Sequence, residues 1–342
     1  MARLKIKSQR TFGTETEFLL DYNMYRTELD DINPTEINSS LDNSYVHKAV
    51  CFIAQYLTET TRINVITKSY RQAHQVHDNW KITTDSSVEN NRGDYGLELV
   101  SPILRGQEGL EEVKIMLNAL QSLDGTKINS SCGTHVHVGS QDATAKKVKN
   151  LLKFVAKYRP EISSILPPSR RTDSFRWAKN LMWDNNCVRD YDTRRVIFTA
   201  TPMDLNSFSL GIDKVINNCK KHNLDDYNSI MRLHNYLGTR YKDINFEKFL
   251  KYNTMEFRQY GGTLDFEKLG HWIVFCTNTI DKCFKTRSIE IKRADWQNNF
   301  INVFGEKQSR KVLRFFEDRA VQQFGFHTYQ GAYNKAIAIR QV

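Results

Sequence analysis

Short segments of alternating polar and apolar residues recur along this chain, and several of them place chemically active side chains on one face. In Phe12-Gly13-Thr14-Glu15-Thr16-Glu17-Phe18, an extended strand puts Glu15 and Glu17 on one side, against Phe12, Thr14, Thr16 and Phe18 on the other. Cys132-Gly133-Thr134-His135-Val136-His137-Val138 repeats the design, with His135 and His137 opposite Val136 and Val138. Side chains at i and i+2 stand about 6.5–7 Å apart along a strand.

The same pattern predicts the other elements. Strands are expected at about 10–20, over Trp80–Asp85, from Tyr95 to a stop at Pro102, at about 134–139, and around Met255-Glu256-Phe257-Arg258 up to Gly261-Gly262. Helical spacing predicts one helix through Val46, Val50, Ile53 and Leu57, and a second through Leu110, Val113, Leu117 and Leu120 that ends before Gly125. Further helices are expected over about 142–158, through Leu269, Trp272, Ile273, Cys276 and Ile280, and from Asn302 onward through Leu313, Phe316, Ala320 and Phe324. Residues 21–42 read as a polar loop, and Asn90-Asn91-Arg92-Gly93-Asp94 as a turn-prone one. The basic, aromatic stretch from Pro167-Pro168 to about residue 200 gives no legible period. No internal repeat or low-complexity linker is evident. Strands with one polar face predict an antiparallel sheet with one side open.

Four strands thus share one plan: Glu15/Glu17, Glu98, His135/His137 and Glu256/Arg258 on the polar face. A solvent-washed sheet face is the simplest explanation of any one of them. Such faces usually mix Lys, Thr and Ser, whereas these positions are mainly carboxylates and imidazoles, which repel or crowd unless cations neutralise them. An HxH pair alone is shared by cupins, amidohydrolases and many zinc enzymes. A cupin carries a Glu four or five residues beyond the second His, where this chain has Gly139, Ser140, Gln141 and Asp142. The accompanying glutamates favour Mg²⁺ or Mn²⁺.

Length and composition narrow the class. The 342 residues admit one large domain or two, and 40% apolar with 11% aromatic residues supply a substantial core. A charged fraction of 26% and mean hydropathy of −0.56 fit a soluble protein. No apolar run approaches a membrane span, and the start lacks a secretory core. Six cysteines without paired spacing favour reduced thiols in a cytoplasmic setting, and none forms the CxxC pair of a thiolate zinc site. The net charge is +10, and residues 141–200 hold 13 Lys/Arg against 6 Asp/Glu. That excess is either a solvated basic face or a site for an anionic partner such as nucleotide phosphates or nucleic acid.

The ordered set FGTETEF, D-S…GLELVSP, a helix, SCGTHVHVG, LPPSRR, RY…N and MEFRQYGGTL resembles the amidoligase family, a branch of the carboxylate–amine ligases with the glutamine synthetase and glutamate–cysteine ligase fold. The resemblance spans roughly residues 11–280. It implies an α+β catalytic domain over 1–285, a curved, largely antiparallel sheet with one open catalytic face backed by helices, and a helical extension over 286–342. It further implies ATP and two or three Mg²⁺ or Mn²⁺ ions, with an amide or isopeptide bond formed between acid and amine substrates through an acyl phosphate.

On that resemblance Glu15, Glu17, Glu98, His137 and Glu256 are metal ligands. Arg258 lies over the transferred phosphoryl group, Arg170 and Arg171 approach ATP phosphates, and His135 contacts nucleotide or substrate or supports a ligand. Asp85 is a secondary ligand or substrate contact. Asn245 is a loop holder or substrate contact, and a plain Glu256–Arg258 salt bridge is the alternative for that pair. Cys132 reads as a small buried residue, since no relay stands beside it. Phe175, Trp177, Trp183 and Tyr191 read as packing, with base stacking as the alternative. Two other classes compete: a metal-dependent hydrolase or nuclease using the same carboxylates, and a non-enzymatic nucleic-acid-binding protein. A nucleic-acid-linked acceptor is compatible with the charge, and no membrane partner is expected.

Overall fold

Strand β1 (Thr11–Asp21) is the axis of the first of two compact units. The computed structural model describes residues 4–89, 93–170, 178, 180–189, 196–238, 241–289, 314–315, 318–319 and 321–322. The first unit comprises residues 1–138 and 260–276, the second 139–259 and 277–342.

In the first unit β1 is followed by short helices α1 (Arg26–Asp30) and α2 (Pro34–Ile37) and then by α3 (Tyr45–Thr61). Next come β2 (Val65–Thr67), α4 (Tyr70–Ala73), β3 (Trp80–Thr84), β4 (Asp94–Val100) and β5 (Leu104–Arg105). Helix α5 (Gly106–Ser122), β6 (Thr126–Lys127) and β7 (Gly133–Gly139) complete the run. The strands lie in the order β7-β1-β4-β3-β2, with β5 and β6 also paired to β1. All pairs are antiparallel except β2 with β3. The sheet is open, and α3 packs on β2, β3 and β4 and against α5.

The apolar face explains the placement. Phe18, Leu20, Leu97, Leu99, Ile82, Val136 and Val138 are fully or almost fully buried. On the helix side, Val50, Ile53 and Leu57 of α3 and Leu110, Val113, Leu117 and Leu120 of α5 are equally buried, as the helical spacing predicts. Trp80 fixes α5 to the sheet, its indole N–H donating to Glu112 Oε1 at 2.5 Å. Arg62 ends α3 in the left-handed region at φ 61°. The outer edge of β2 is closed by side chains: Thr58 Oγ1 accepts from Val65 N at 3.0 Å, and Asn38 Nδ2 donates to Thr67 O at 2.9 Å.

Gly262 meets the start of β7 at very short range, its N–H donating to Cys132 O at 2.7 Å. A Cβ there would stand 2.6 Å from Cys132 Cβ and 3.0 Å from its carbonyl carbon and oxygen, so only glycine permits this approach.

The second unit holds α6 (Ala145–Lys157), α7 (Arg159–Ile165), β8 (Trp183–Arg189), β9 (Val196–Pro202), α8 (Leu205–Lys221) and α9 (Asp226–Leu237). It continues through β10 (Ile244–Asn245), α10 (Glu247–Tyr252) and β11 (Thr254–Gly261). Strands β8 and β9 pair antiparallel, as do β10 and β11. Helices α6, α8 and α9 pack on one another. Their starts are capped by Thr144, Asp204 and Asp225, whose side chains accept first-turn N–H groups. Helix α11 (Phe266–Lys285) begins in the first unit and ends in the second.

Several expectations need amending. Residues 21–42 are not a plain loop, since a 3₁₀ turn, α1 and α2 occupy them. The illegible 167–200 stretch contains β8 and most of β9. The helix expected from Asn302 falls largely outside the described residues, as do Arg171, Phe175, Trp177 and Tyr191. Among the described residues no helix is long and apolar enough to cross a membrane.

Candidate metal centre

Register builds the centre. Glu15 lies opposite Val100 on β4 and His135 on β7, Glu17 lies opposite Glu98, and Gly13 lies opposite His137. Paired residues share a face, so Glu15, Glu17, Glu98, His135 and His137 project to the same side. The alternation read in each strand thus becomes one polar surface on three neighbouring strands. That surface is not washed by solvent: Glu15, Glu17, Glu98 and His135 are 6%, 5%, 1% and 5% exposed.

The distances are those of a connected cluster. His135 Nδ1 lies 3.1 Å from Glu15 Oε2, and His137 Nε2 lies 3.1 Å from Glu15 Oε1. His135 Nε2 is 3.8 Å from Glu17 Oε1, while Glu17 Oε2 accepts from Gly133 N at 2.5 Å. Glu17, Glu98 and His135 each offer a donor atom, all within 4.8 Å of one another. Three carboxylates withdrawn from water on one wall, with imidazoles between them, fit a divalent cation by donor chemistry and by charge.

Two members of this face escaped sequence reading. His74 follows the single turn of α4, in a polar segment without usable periodicity. Its Nδ1 lies 3.2 Å from Glu15 Oε1 and its Nε2 lies 3.6 Å from Glu98 Oε2. Lys81 was legible in principle, because the alternation Trp80-Lys81-Ile82-Thr83 puts Lys81 and Thr83 beside Val100 and Glu98. It is buried, and its ammonium donates to Gln75 O at 2.8 Å. Asp85, at the end of β3, is buried and accepts from Ser87 N at 2.7 Å, closing the turn there.

In the second unit Glu256 and Arg258 share one face of β11 and pair directly. Glu256 is fully buried, and its second oxygen accepts from Asn245 Nδ2 at 2.6 Å across the β10–β11 register. Asn245 therefore holds a carboxylate. Arg170, in the turn Pro168–Arg170, is buried and not a surface charge.

Four of the basic residues of 141–200 are engaged in ion pairs within the fold. Lys153 and Lys149 bind Asp213 at 2.7 and 3.3 Å, Lys147 binds Asp142 at 3.0 Å, and Arg159 is paired with Asp243 in the interior. Cys51, Cys132, Cys219, Cys276 and Cys283 are buried. Burial pushes the Cys51 thiol up to about 11 and raises those of Cys276 and Cys283 further, so these three are protonated at neutral pH and poor nucleophiles. Cys132 donates to Asn129 Oδ1 at 3.4 Å.

Fold and site together define an α/β protein whose open, largely antiparallel sheet carries a buried carboxylate–imidazole face. The family described as "Putative amidoligase enzyme" matches residues 8–280, and the chain belongs to it. Membership supports a ligase-type enzyme. No curated protein matches the chain. Among solved structures, a bifunctional glutathione synthetase from Pasteurella multocida aligns with a TM-score of 0.38 and 12% identity, over 97% of this chain and 49% of that one. The present chain thus spans about half the length of that enzyme.

Proposed function

We propose that the protein is an ATP-dependent carboxylate–amine ligase that forms an amide or isopeptide bond through an acyl phosphate. The observation that carries this reading is the buried face of Glu15, Glu17, Glu98 and His135, with the half-buried His137 beside it, in a chain whose family is described as an amidoligase. We take residues 1–285 as the catalytic part, with a glutamine synthetase-like fold and a helical extension beyond it. The open, helix-backed antiparallel sheet supports that fold.

Carboxylates are poor electrophiles, and activating one means transferring a phosphoryl group from one anion to another. On this reading Glu15, Glu17, Glu98, His137 and Glu256 hold Mg²⁺ or Mn²⁺, which when bound screens the triphosphate and the reacting carboxylate. Arg258 neutralises charge building on the transferred phosphoryl group, and Arg170 and Arg171 draw in the phosphates. His135, bonded to Glu15, keeps that carboxylate oriented. Asp85 keeps the end of β3 in place next to the substrate. The substrate carboxylate oxygen attacks the γ-phosphorus and ADP leaves. The amine then attacks the acyl carbon, losing a proton, and phosphate departs with one oxygen of the original acid. Burial of the face keeps water from the acyl phosphate.

The test uses pooled acids and amines with ATP and Mg²⁺ or Mn²⁺, and mass spectrometry for condensation products. ADP and phosphate are expected only when acid and amine are both present. An ¹⁸O-labelled carboxylate should pass one label to the released phosphate. Product formed without that transfer overturns the acyl-phosphate route, and metal-dependent cleavage of an anionic substrate without ATP establishes a hydrolase or nuclease instead.

A further inference from the structure

We propose that His74 is a nitrogen ligand of the cation site and sets its metal preference, favouring Mn²⁺-class transition ions over Mg²⁺. This rests on the reading that the carboxylate–imidazole face holds divalent ions, and it adds to that reading a residue from outside the ligand-bearing strands.

The argument begins with placement. His74 sits in the crossover from β2 to β3, which passes over the polar side of the sheet. Both of its ring nitrogens face carboxylates of different strands, Glu15 of β1 at 3.2 Å and Glu98 of β4 at 3.6 Å. A histidine serving only as a hydrogen-bond partner would be satisfied by Glu15. Nε2 is instead a buried atom that makes no hydrogen bond among the described residues, and its distance to Glu98 is too long for one. A nitrogen held this way, facing a buried carboxylate without donating to it, is the arrangement a shared cation satisfies.

The ring is also held in position. Ala73 is fully buried, and its N–H bonds Ser69 O at 2.9 Å. Lys81, rising from the sheet, fastens the next residue through Gln75 O at 2.8 Å. The Tyr70 ring meets the imidazole edge-on, with centroids 4.7 Å apart. The segment is therefore preorganised over the carboxylates.

Ligand chemistry supplies the consequence. Mg²⁺ prefers hard oxygen donors and keeps much of its water, whereas imidazole nitrogen favours the first-row transition ions. Carboxylates alone would leave the site open to Mg²⁺. With His74 reaching Glu15 and Glu98, and His135 and His137 each reaching Glu15, the wall mixes imidazole nitrogens with its carboxylates, a donor chemistry that favours Mn²⁺.

The experiment is calorimetric titration of the full chain with MnCl₂ and with MgCl₂, for wild type, His74→Gln and His74→Ala. Wild type is expected to bind Mn²⁺ more tightly than Mg²⁺. Each variant is expected to lose about tenfold or more in Mn²⁺ affinity, with a much smaller change for Mg²⁺. Free imidazole is expected to restore part of the Mn²⁺ affinity of His74→Ala. Equal losses for both ions, or none, overturn the proposal while leaving the metal reading standing. Failure of the wild-type chain to bind either ion overturns the metal reading itself. Should the variants fail to fold, wild type decides alone: one equivalent of diamagnetic Cd²⁺ is expected to shift the His74 Nε2 ¹⁵N resonance to a metal-bound position, and a resonance left unshifted while the cation is bound rejects the assignment.

Discussion

Glu17 and Glu98 stand directly opposite one another on adjacent antiparallel strands, both buried. Like charges so placed disfavour folding, and the arrangement is tolerable where a cation is to lie between them. Glu98→Gln is therefore expected to stabilise the metal-free protein by about 1 kcal/mol. The same change should abolish the rise in melting temperature on adding Mn²⁺ and ATP. Thermal unfolding with and without ligand checks both. A variant destabilised without metal would show that Glu98 is structurally satisfied by the fold alone.

Glu256 gives the opposite expectation, because a guanidinium and an amide hold its two oxygens. Arg258 pairs with one of its oxygens and Asn245 donates to the other. Arg258→Ala removes the cation paired with a fully buried carboxylate and is expected to cost about 3 kcal/mol. Asn245→Ala should cost about 1–2 kcal/mol. Adding Glu256→Gln to Arg258→Ala should recover most of the loss in urea denaturation. ATP cleavage, by contrast, should stay absent in the double variant.

Gly262 offers a prediction that does not involve the centre directly. A methyl group there would collide with Cys132 at the mouth of β7, three residues before His135. Gly262→Ala is expected to destabilise by about 2 kcal/mol. Cys132→Gly in the same chain should rescue only part of this, because backbone atoms of residue 132 also lie at 3.0 Å. Chemical denaturation of the three chains tests the order.

Alkaline pH should weaken the fold through Cys51. Its thiol is raised by burial from 9.0 in the unfolded chain to about 11. The unfolded state therefore releases its proton first. Stability is fully present below pH 9 and falls as pH rises through about 11. Cys51→Ala is expected to flatten that decline between pH 9 and 11, read from denaturant midpoints across the range.

The strands of the centre were legible because their alternation is strict. Glu15/Glu17 and His135/His137 carry their partners' faces in their own spacing, and a register that buries Phe18, Leu97 and Val136 leaves these polar side chains nowhere else to point. His74 was illegible for the converse reason. It belongs to one helical turn in a crossover, where position follows from tertiary contacts such as Lys81 with Gln75. The short helices of 26–37 were missed because runs of four or five residues hold too few positions to show a period. Charge counts over 141–200 left two readings open, since a tally cannot tell Lys153, committed to Asp213, from a lysine facing water.

Among the described residues strand β2 ends its row, yet its outward backbone groups at Val65 and Thr67 are met by Thr58 and Asn38. Two small polar side chains thereby act as a hem. Another copy of the chain seeking to extend the sheet at that border would have to break these bonds first, which guards a partly parallel, slow-forming edge against fibrous self-association.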